Sequence, residues 1–521
     1  MTPDASSYQR YTYTFGPRES TGVVLGLGMG SILSVFASLF ILIHLATAGT
    51  WGLVIGVVIV AATVVAVWVP IAERPIAHWL PIVAAFAVRR ALGYSQFRGG
   101  PAAEHASTVR EQGRTTGKGS RRARPPAAEP LELPGELAGL AIITAHVHTR
   151  HGPRKVGVIK DRRRGLYTLI LATRGTAFHL LTPAEQDQRL LRWGETLAAL
   201  AAPGSGIVRV QLLDAAVPDS GDALARYWLN GGGHGGTATR DSYRELLEAA
   251  RPITQRHETY IGLTIHPARI RRQIRTLGGG DAGACAHLIG QAQAIQRDLF
   301  GAGVDVDGAL APRQIATLLR TAYDPSARWA IEANGPDAQR GGGIAVSEAG
   351  PMGCDGNHAA YYKTDGSYHA VYWISEWPRR PVTGAFLEQL LLHTRCERTV
   401  SILLEPRDVR KAEDELARAE TTKDSDAGIR QRWGFRSSAR ERHERATRRR
   451  QDDALAAGHA PYRFLGLVRI SAPTLKDLDR ACGDIEINAR GLKLRRLYME
   501  QDVAFAATLP LGRGLRYGLM R

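Results

Sequence analysis

Two long runs of apolar residues stand near the start of the chain and dominate its hydropathy pattern. Residues 23–48 and residues 51–72 contain no Asp, Glu, Lys or Arg. At about 1.5 Å per residue, a helix of either length crosses a hydrocarbon core of about 30 Å. Because only a few residues around Gly49 separate the runs, we predict an antiparallel hairpin with transmembrane helices over about 22–48 and 51–72.

Basic residues flank this hairpin on its outer ends. Arg10 and Arg18 precede it, Arg74 follows it, and the connecting turn carries no charge. The positive-inside rule therefore predicts a multi-pass protein of the cytoplasmic (inner) membrane with both termini in the cytoplasm. Residues 75–93 are apolar but short and contain two arginines near their end. We expect them to form an interfacial helix along the cytoplasmic face, which completes a membrane anchor over residues 1–94.

Two features of the first run have more than one interpretation. Small residues spaced along its start allow close helix approach, either to the second helix of the hairpin or to another membrane subunit; these are Gly22, Gly26, Gly28 and Gly30. His44 fits a neutral residue near the membrane interface better than a proton carrier.

Residues 95–132 are rich in Gly, Pro, Ala, Ser and Arg and lack hydrophobic periodicity. We predict a disordered basic linker that meets anionic lipid. Its GRTTGKGS stretch, residues 113–120, is one residue short of a phosphate-binding loop. Gly119 also follows Lys118 where Ser or Thr is required. We therefore expect no nucleotide site there.

The rest of the chain predicts a cytosolic α+β body with domains over 133–260 and 261–521. Apolar and β-branched runs predict strands at residues 138–149, 155–161, 166–181, 206–219, 254–265, 367–377, 399–406, 462–470 and 492–498, and residues 305–310 form a short segment between two predicted helices. Helical periodicity and capping signals predict helices at residues 182–202, 222–229, 238–252, 281–301, 311–322, 382–393, 474–488 and 499–508. The order strand, helix, strand over 367–406 suggests a βαβ-type layer.

Residues 407–458 are dense in charges of both signs and predict a helical hairpin that projects from the body. Its second arm is rich in arginine. DNA binding is one interpretation of this arm, and a solvated or partner-docking helix is the other. The residues that would bind DNA are Arg436, Arg440, Arg445, Arg448 and Arg449.

Composition narrows the class of protein. The chain has 521 residues and a formal net charge of +17, and only eight of its 67 basic residues are Lys. Four scattered Cys without a CxxC pair exclude a disulfide scaffold and a zinc ribbon. We expect Cys285 to be a small core residue.

Catalytic motifs are missing from the sequence. His146, His148 and His151 lie close together, but no acidic or Cys partner has ligand spacing. Asp355, Asp365 and Glu376 crowd a polar region without a spacing that singles out an acid and a base. We therefore predict no catalytic residue, no metal site and no cofactor, and a protein that is not an enzyme.

Several stretches resemble a family of actinobacterial membrane proteins encoded beside conjugative, type IV-like secretion ATPases. The matching stretches are residues 13–27, 154–168, 180–194, 242–258, 320–328, 361–379 and 494–515. The C-terminal half is also similar to the non-catalytic N-terminal domain of TraC-type conjugation ATPases, including the inserted helical hairpin and the final LP-G segment, residues 509–512. The motor domain of those ATPases has no counterpart here.

The resemblance implies a non-catalytic scaffold subunit of a conjugation or secretion apparatus, which takes part in DNA transfer. It would dock a separately encoded ATPase at the membrane and contact other membrane subunits. A looser likeness to the two-span membrane subunit of type VII secretion keeps that system open. A membrane-tethered DNA-binding delivery protein is a further alternative, and nucleotide hydrolysis is disfavoured by the broken loop at Lys118.

Overall fold

The computed structural model describes most of residues 1–94, the predicted membrane anchor, and most of the predicted body. It describes residues 12, 15, 29–47, 49–68, 70–71, 74–99, 128–149, 152–176, 178–218, 236–250, 255–333, 343–378, 380–392, 396–410, 412, 414, 449, 453–455 and 458–513. Most of the predicted linker and of the predicted hairpin 407–458 lies outside these residues, as does the predicted helix 222–229.

The helices of the described residues fall into an N-terminal group of three and a series that alternates with strands. They are α1 Met29–Ala46, α2 Thr50–Trp68, α3 Ile76–Ala91, α4 Pro183–Ala201, α5 Thr237–Ala250, α6 Arg271–Thr276, α7 Gly280–Gly301, α8 Pro312–Tyr323, α9 Ala327–Ala333, α10 Glu388–Leu392, α11 Leu475–Asn488 and α12 Gln501–Thr508. The capping box predicted at the start of α4 is present, since the Thr182 side chain accepts from the Glu185 N–H and Glu185 reaches back to Thr182.

The strands are mostly long and paired side by side. They are β1 Pro70–Ile71, β2 Arg74–Pro75, β3 Gln96–Arg98, β4 Ala128–Pro130, β5 Leu140–Thr149, β6 Gly152–Asp161, β7 Leu166–Gly175, β8 Ile207–Pro218, β9 Gln255–Ile265, β10 Val304–Ala309, β11 Gly353–Asp355, β12 Tyr362–Thr364, β13 Ser367–Glu376, β14 Glu397–Pro406, β15 Tyr462–Ala472 and β16 Lys493–Arg496. All strands except β1 and β2 belong to one 14-stranded sheet. The predicted α+β class of the body is confirmed.

The two halves of this sheet have equivalent strand orders, each counted from its outer edge to the centre of the sheet. The full order runs β3-β11-β12-β13-β15-β14-β8-β9-β7-β6-β5-β4, with β10 on β7 and β16 on β13. Each half contains a three-strand meander, a helix, two further long strands, another helix, a short strand and a final helix. We call residues 140–323 the first module and residues 353–508 the second module. Each contains a split βαβ arrangement repeated once, because an antiparallel strand always separates the two parallel ones.

The registers of the two modules agree at the ends of their long strands, although the β8–β9 pair has a register shift at Ile207 that the β14–β15 pair lacks. Tyr167, the second residue of β7, pairs with the last residue of β9, and Tyr368, the second residue of β13, pairs with the last residue of β15. Pro218 ends β8 and pairs with the first residue of β9, and Pro406 ends β14 and pairs with the first residue of β15. The sheet is therefore an internal structural duplication.

An approximate two-fold axis passes through the seam between β8 and β14. These strands pair antiparallel, and Leu213 is directly opposite Ser401. Each of these two residues stands five positions before the proline that ends its strand. Because equivalent residues face each other at this point, the axis runs through their pair and perpendicular to the sheet.

The two faces of the sheet are covered differently. On the helix face, α4, α6 and α7 close a core over the first module, and α10 and α11 close a separate core over the second. The opposite face carries one continuous core that includes side chains of α8 and α12 and of both modules. We call it the strap face, because the C-terminal residues 508–513 cross it.

This C-terminal strap runs from the second module over the sheet of the first. All six of its residues are buried. Arg209 donates to the Gly512 carbonyl, and Arg513 forms an ion pair of 2.9 Å with buried Asp161. A Cβ on Gly512 would lie 2.6 Å from Thr264 Oγ1, and its φ of +70° is also unfavourable for other residues. The strap thus depends on glycine at this position.

Several predicted elements differ from the structure. The βαβ-type layer has no direct parallel pair, because β15 lies between β13 and β14. The helix predicted at 382–393 is regular only over Glu388–Leu392, and the strand predicted at 166–181 ends at Gly175. Both ends of the predicted linker form strands, β3 and β4, since each finds an open strand edge to pair with. The predicted domain boundary at 260/261 falls inside β9.

We expect Gly512→Ala to lower the free energy of unfolding by about 2–4 kcal/mol, because a methyl group there meets the threonine hydroxyls and opposes the backbone conformation. Gly491→Ala is the matched control. Its φ is +85°, but nothing lies within 4 Å of its added Cβ, so about 1 kcal/mol is expected from the conformation alone. Urea unfolding of the detergent-solubilised protein measures both. Equal losses would mean that the strap is not tightly packed.

Candidate membrane interface

Helices α1 and α2 pack against each other along a stripe of small residues. Gly52, Gly56 and Ser38 are buried, and a Cβ on Gly56 would lie 3.0 Å from the Leu42 Cα. Glycines four residues apart let two helices approach closely. The glycines at this contact, Gly52 and Gly56, belong to α2, whereas the sequence-based prediction named four glycines at the start of the first apolar run. Of those, only Gly30 is described, as a residue of α1.

Most other side chains of these helices are apolar and exposed. Leu33, Phe36 and Phe40 on α1 and Trp51 on α2 each expose 65% or more of their surface. Soluble proteins rarely expose contiguous apolar surface of this extent. Within the described residues, one helix is long and apolar enough to cross a membrane, Thr50–Val67, and Leu33–Ala46 is a shorter apolar helix. Residues 22–28 of the first predicted span lie outside the described part, so the two-span hairpin stays a prediction.

Helix α3 follows α2 after a tight reversal in which β1 pairs with β2. Ile82 is buried, while Leu80, Val83 and Val88 are exposed. The predicted helix at 75–93 is thus present, and its exposed surface is apolar with Arg90 as the charged exception. This surface is of the kind that lies among lipid chains.

The C-terminal end of α3 is attached to the second module. Arg89 Nη2 donates to the Met499 carbonyl at 2.8 Å, and its guanidinium lies 3.4 Å from the Asp502 carboxylate. The Ser95 hydroxyl donates to Asn357 Oδ1 at 2.7 Å, and β3 pairs with β11. We call this set of contacts the α3 junction. It fixes the last helix of the anchor to α12, a helix of the shared core.

Asp502 is the carboxylate on which the junction depends. Burial raises the pKa of Asp502, and the positive charge of Arg89 opposes that rise. Ionisation of this buried carboxylate costs desolvation free energy, and the attraction of the Arg89 guanidinium partly offsets that cost. Removal of the cation would leave a buried charge without compensation.

The candidate residues from the sequence have different outcomes. Arg436, Arg440, Arg445 and Arg448 lie outside the described residues, and Arg449 is helical and exposed. The GRTTGKGS stretch and His151 also lie outside them. His44 is exposed in the last turn of α1.

The polar candidates of the body have structural partners. Asp365 accepts from the Gly353 N–H and forms an ion pair with Arg320, while Glu376 lies 3.9 Å from Lys493. Asp355 lies 3.5 Å from His358. His146 and His148 are exposed on β5, and no three His, Cys, Asp or Glu side chains of the described residues are arranged to hold a metal ion. Cys285 is a buried core residue, as predicted.

Neither the protein-family models nor the curated proteins match this chain.

We expect Arg89→Met to destabilise the α3 junction by about 1–3 kcal/mol at pH 8, because Asp502 is then ionised and buried without its cation. The folded-state pKa of Asp502 is already raised, and this change raises it further. The protonated form is therefore favoured in the native state, so the loss should shrink as the pH falls towards 5. Thermal unfolding at both values measures it.

Two further variants test whether the loss comes from the unpaired charge of Asp502. Asp502→Asn in the Arg89→Met background should restore most of the lost stability, since no buried charge remains. Arg90→Met changes the exposed neighbour and should have little effect. A loss that is independent of pH, or that Asp502→Asn does not reduce, would show that Arg89 acts through packing and its hydrogen bond to the Met499 carbonyl rather than through the charge of Asp502.

Proposed function

We propose that this protein is a non-catalytic scaffold of the cytoplasmic membrane that serves a type IV-like conjugation or secretion apparatus. The α1–α2 hairpin crosses the bilayer and α3 lies along its cytoplasmic side. The two-module body remains in the cytoplasm, where it docks a separately encoded ATPase. Both termini are cytoplasmic in this arrangement.

The observation that carries the proposal is the α3 junction. A flexible tether would let the body move freely, whereas here backbone pairing of β3 and the contacts of Arg89 and Ser95 hold it directly at the end of an apolar helix. A rigid body fixed at a membrane surface suits a protein that positions a partner. It is not required of a soluble enzyme that is merely tethered.

The identity of the partner rests on the resemblance described above. The matching stretches include residues 494–515, whose described part, residues 494–513, contains most of β16 together with α12 and the strap. These residues pack in the centre of the strap face. The similarity thus falls on residues that a scaffold of this architecture needs, and it supports an ATPase-associated role. A type VII secretion subunit is the alternative with the same anchor and body.

Membrane attachment is tested by charges placed on α2. Val57 and Val64 are both exposed, and a charge at the centre of a spanning helix costs about 2.5–3.5 kcal/mol. We expect Val57→Asp with Val64→Asp to move the protein out of the membrane fraction after carbonate extraction. Ile487→Asp, on an exposed site of α11, should leave it there. An unsubstituted protein that is soluble without detergent would contradict the proposal.

Partner identity is tested by purification in mild detergent. We expect the intact protein to retain the neighbouring ATPase and to determine its place at the membrane. Retention of DNA that falls steeply with salt, and that is lost when Arg436, Arg440, Arg445, Arg448 and Arg449 are changed to Gln, would favour the DNA-delivery alternative instead. An ATPase that neither binds nor changes its location after deletion of this protein would exclude the scaffold role.

A further inference from the structure

A residue that precedes the membrane helices packs against the body that follows them. The Phe15 ring lies 5.1 Å from the Trp377 ring, 5.2 Å from that of Phe386 and 6.1 Å from that of Phe464, measured between centroids. These are the separations that aromatic pairs prefer. Phe15 thus occupies an aromatic pocket on the helix face of the second module.

The pocket is formed by residues from three separate segments. Trp377 follows β13, Phe386 precedes α10, and Phe464 belongs to β15. The Trp377 ring also lies 5.3 Å from that of Phe464 and 6.1 Å from that of Phe386. Trp377 can lie against β15 because residue 466 is glycine, where a Cβ would be 2.8 Å from the indole Cζ2.

The first module shows that the fold does not need this pocket. Thr176 follows β7 as Trp377 follows β13, and His257 is the third residue of β9 as Phe464 is of β15. The pair β7 and β9 has the same strand lengths and the same register as the pair β13 and β15, with either set of residues. The strands themselves therefore do not require aromatic residues at these two positions, and in the second module Trp377 and Phe464 are available to contact Phe15.

We propose that the pocket of Trp377, Phe386 and Phe464 is a docking site for the chain's own N-terminal segment, with Phe15 as its anchor. The chain from Phe15 to Met29, fully extended, reaches about 45 Å. The other end of the anchor is held at the same module by the α3 junction. The segment from the same copy is therefore the occupant that lies closest.

Docking has a consequence for topology, which rests on the proposed membrane anchor. If Phe15 binds the body, the N-terminal segment and the body lie on the same side of the bilayer. The chain between Phe15 and Ser95 must then cross the bilayer an even number of times. Helices α1 and α2 supply two crossings, so α3 does not cross.

The docking site is tested in detergent with the full-length Phe15→Ala protein, whose pocket lacks its own anchor. A fluorescent peptide of residues 8–20 should bind this protein at least about tenfold more tightly than the same peptide with Phe15→Ala, because the aromatic anchor dominates the contact. The unsubstituted protein should bind either peptide weakly, since its pocket is filled. Equal binding of both peptides, or no binding, would overturn the proposal.

A second variant separates pocket loss from misfolding. Phe464→His introduces the residue that the first module has at this position, so the strand should still form. Added to the Phe15→Ala protein, it should abolish peptide binding without changing the circular dichroism spectrum. Peptide binding that survives this change would place the peptide elsewhere and overturn the proposal.

Crosslinking identifies the copy that supplies Phe15. A disulfide between Phe15→Cys and Phe464→Cys should leave the protein monomeric on a non-reducing gel, and a covalent dimer would overturn docking within one chain. Vesicle labelling tests the topology: Ser7→Cys and Ser326→Cys should react from the same side. Reaction from opposite sides would also overturn the proposal. Failure of the protein to co-float with vesicles would contradict the membrane anchor, while the detergent measurements would still decide the docking site.

Discussion

The pairing of β8 with β14 is the interaction on which the rest of the structure depends. Each of these strands lies at the edge of its own module's part of the sheet, and without the other it would present an open edge to solvent or to another chain. Their antiparallel ladder makes one sheet of two modules. Helix α12 is held at the same seam, because Gln211 of β8 donates to the Ser401 hydroxyl of β14 at 2.9 Å and to the Ala507 carbonyl of α12 at 3.0 Å.

Buried polar groups near this seam restrict the register of the strands. Arg469 is almost fully buried and donates to the Thr399 hydroxyl across the β14–β15 pair at 2.9 Å. His369 lies between the hydroxyls of Thr364 and Ser471. Burial, together with the charge of Arg469, lowers the pKa of His369 to about 3, so the ring is neutral at physiological pH. A shift of one residue in a strand would leave such groups without partners, which is costly in a core.

Local sequence signals predicted most elements of the body but not their arrangement. Thr182 and Glu185 form a capping box within four residues, so the start of α4 follows from neighbours in sequence. The pairing of Leu213 with Ser401 has no such signal, since apolar strands do not specify which edge they meet. The sequence around the short strands β3 and β4 predicts a linker, because Gly and Pro surround them and only pairing with their partner strands makes them strands.

The candidate interface can be predicted from the sequence only where its features are local. The apolar composition of residues 23–48, 51–72 and 75–93 already indicates the apolar surface of α1, α2 and α3. The contact of Arg89 with Asp502 joins residues 413 positions apart, so Arg89 has no feature in sequence that distinguishes it from Arg90. Phe15 likewise follows Tyr8, Tyr11 and Tyr13 without a feature that distinguishes it from them, and its three ring partners come from distant segments of the chain.

The duplication places an insertion at the same point of each module, after Pro218 in the first and after Pro406 in the second. Because β8 and β14 are antiparallel, these points lie at opposite ends of the seam. Lengthening a loop costs little free energy, since closure entropy rises only slowly with length. The connections at the two ends of the seam can therefore differ in length and sequence without disturbing the strand pairing between them.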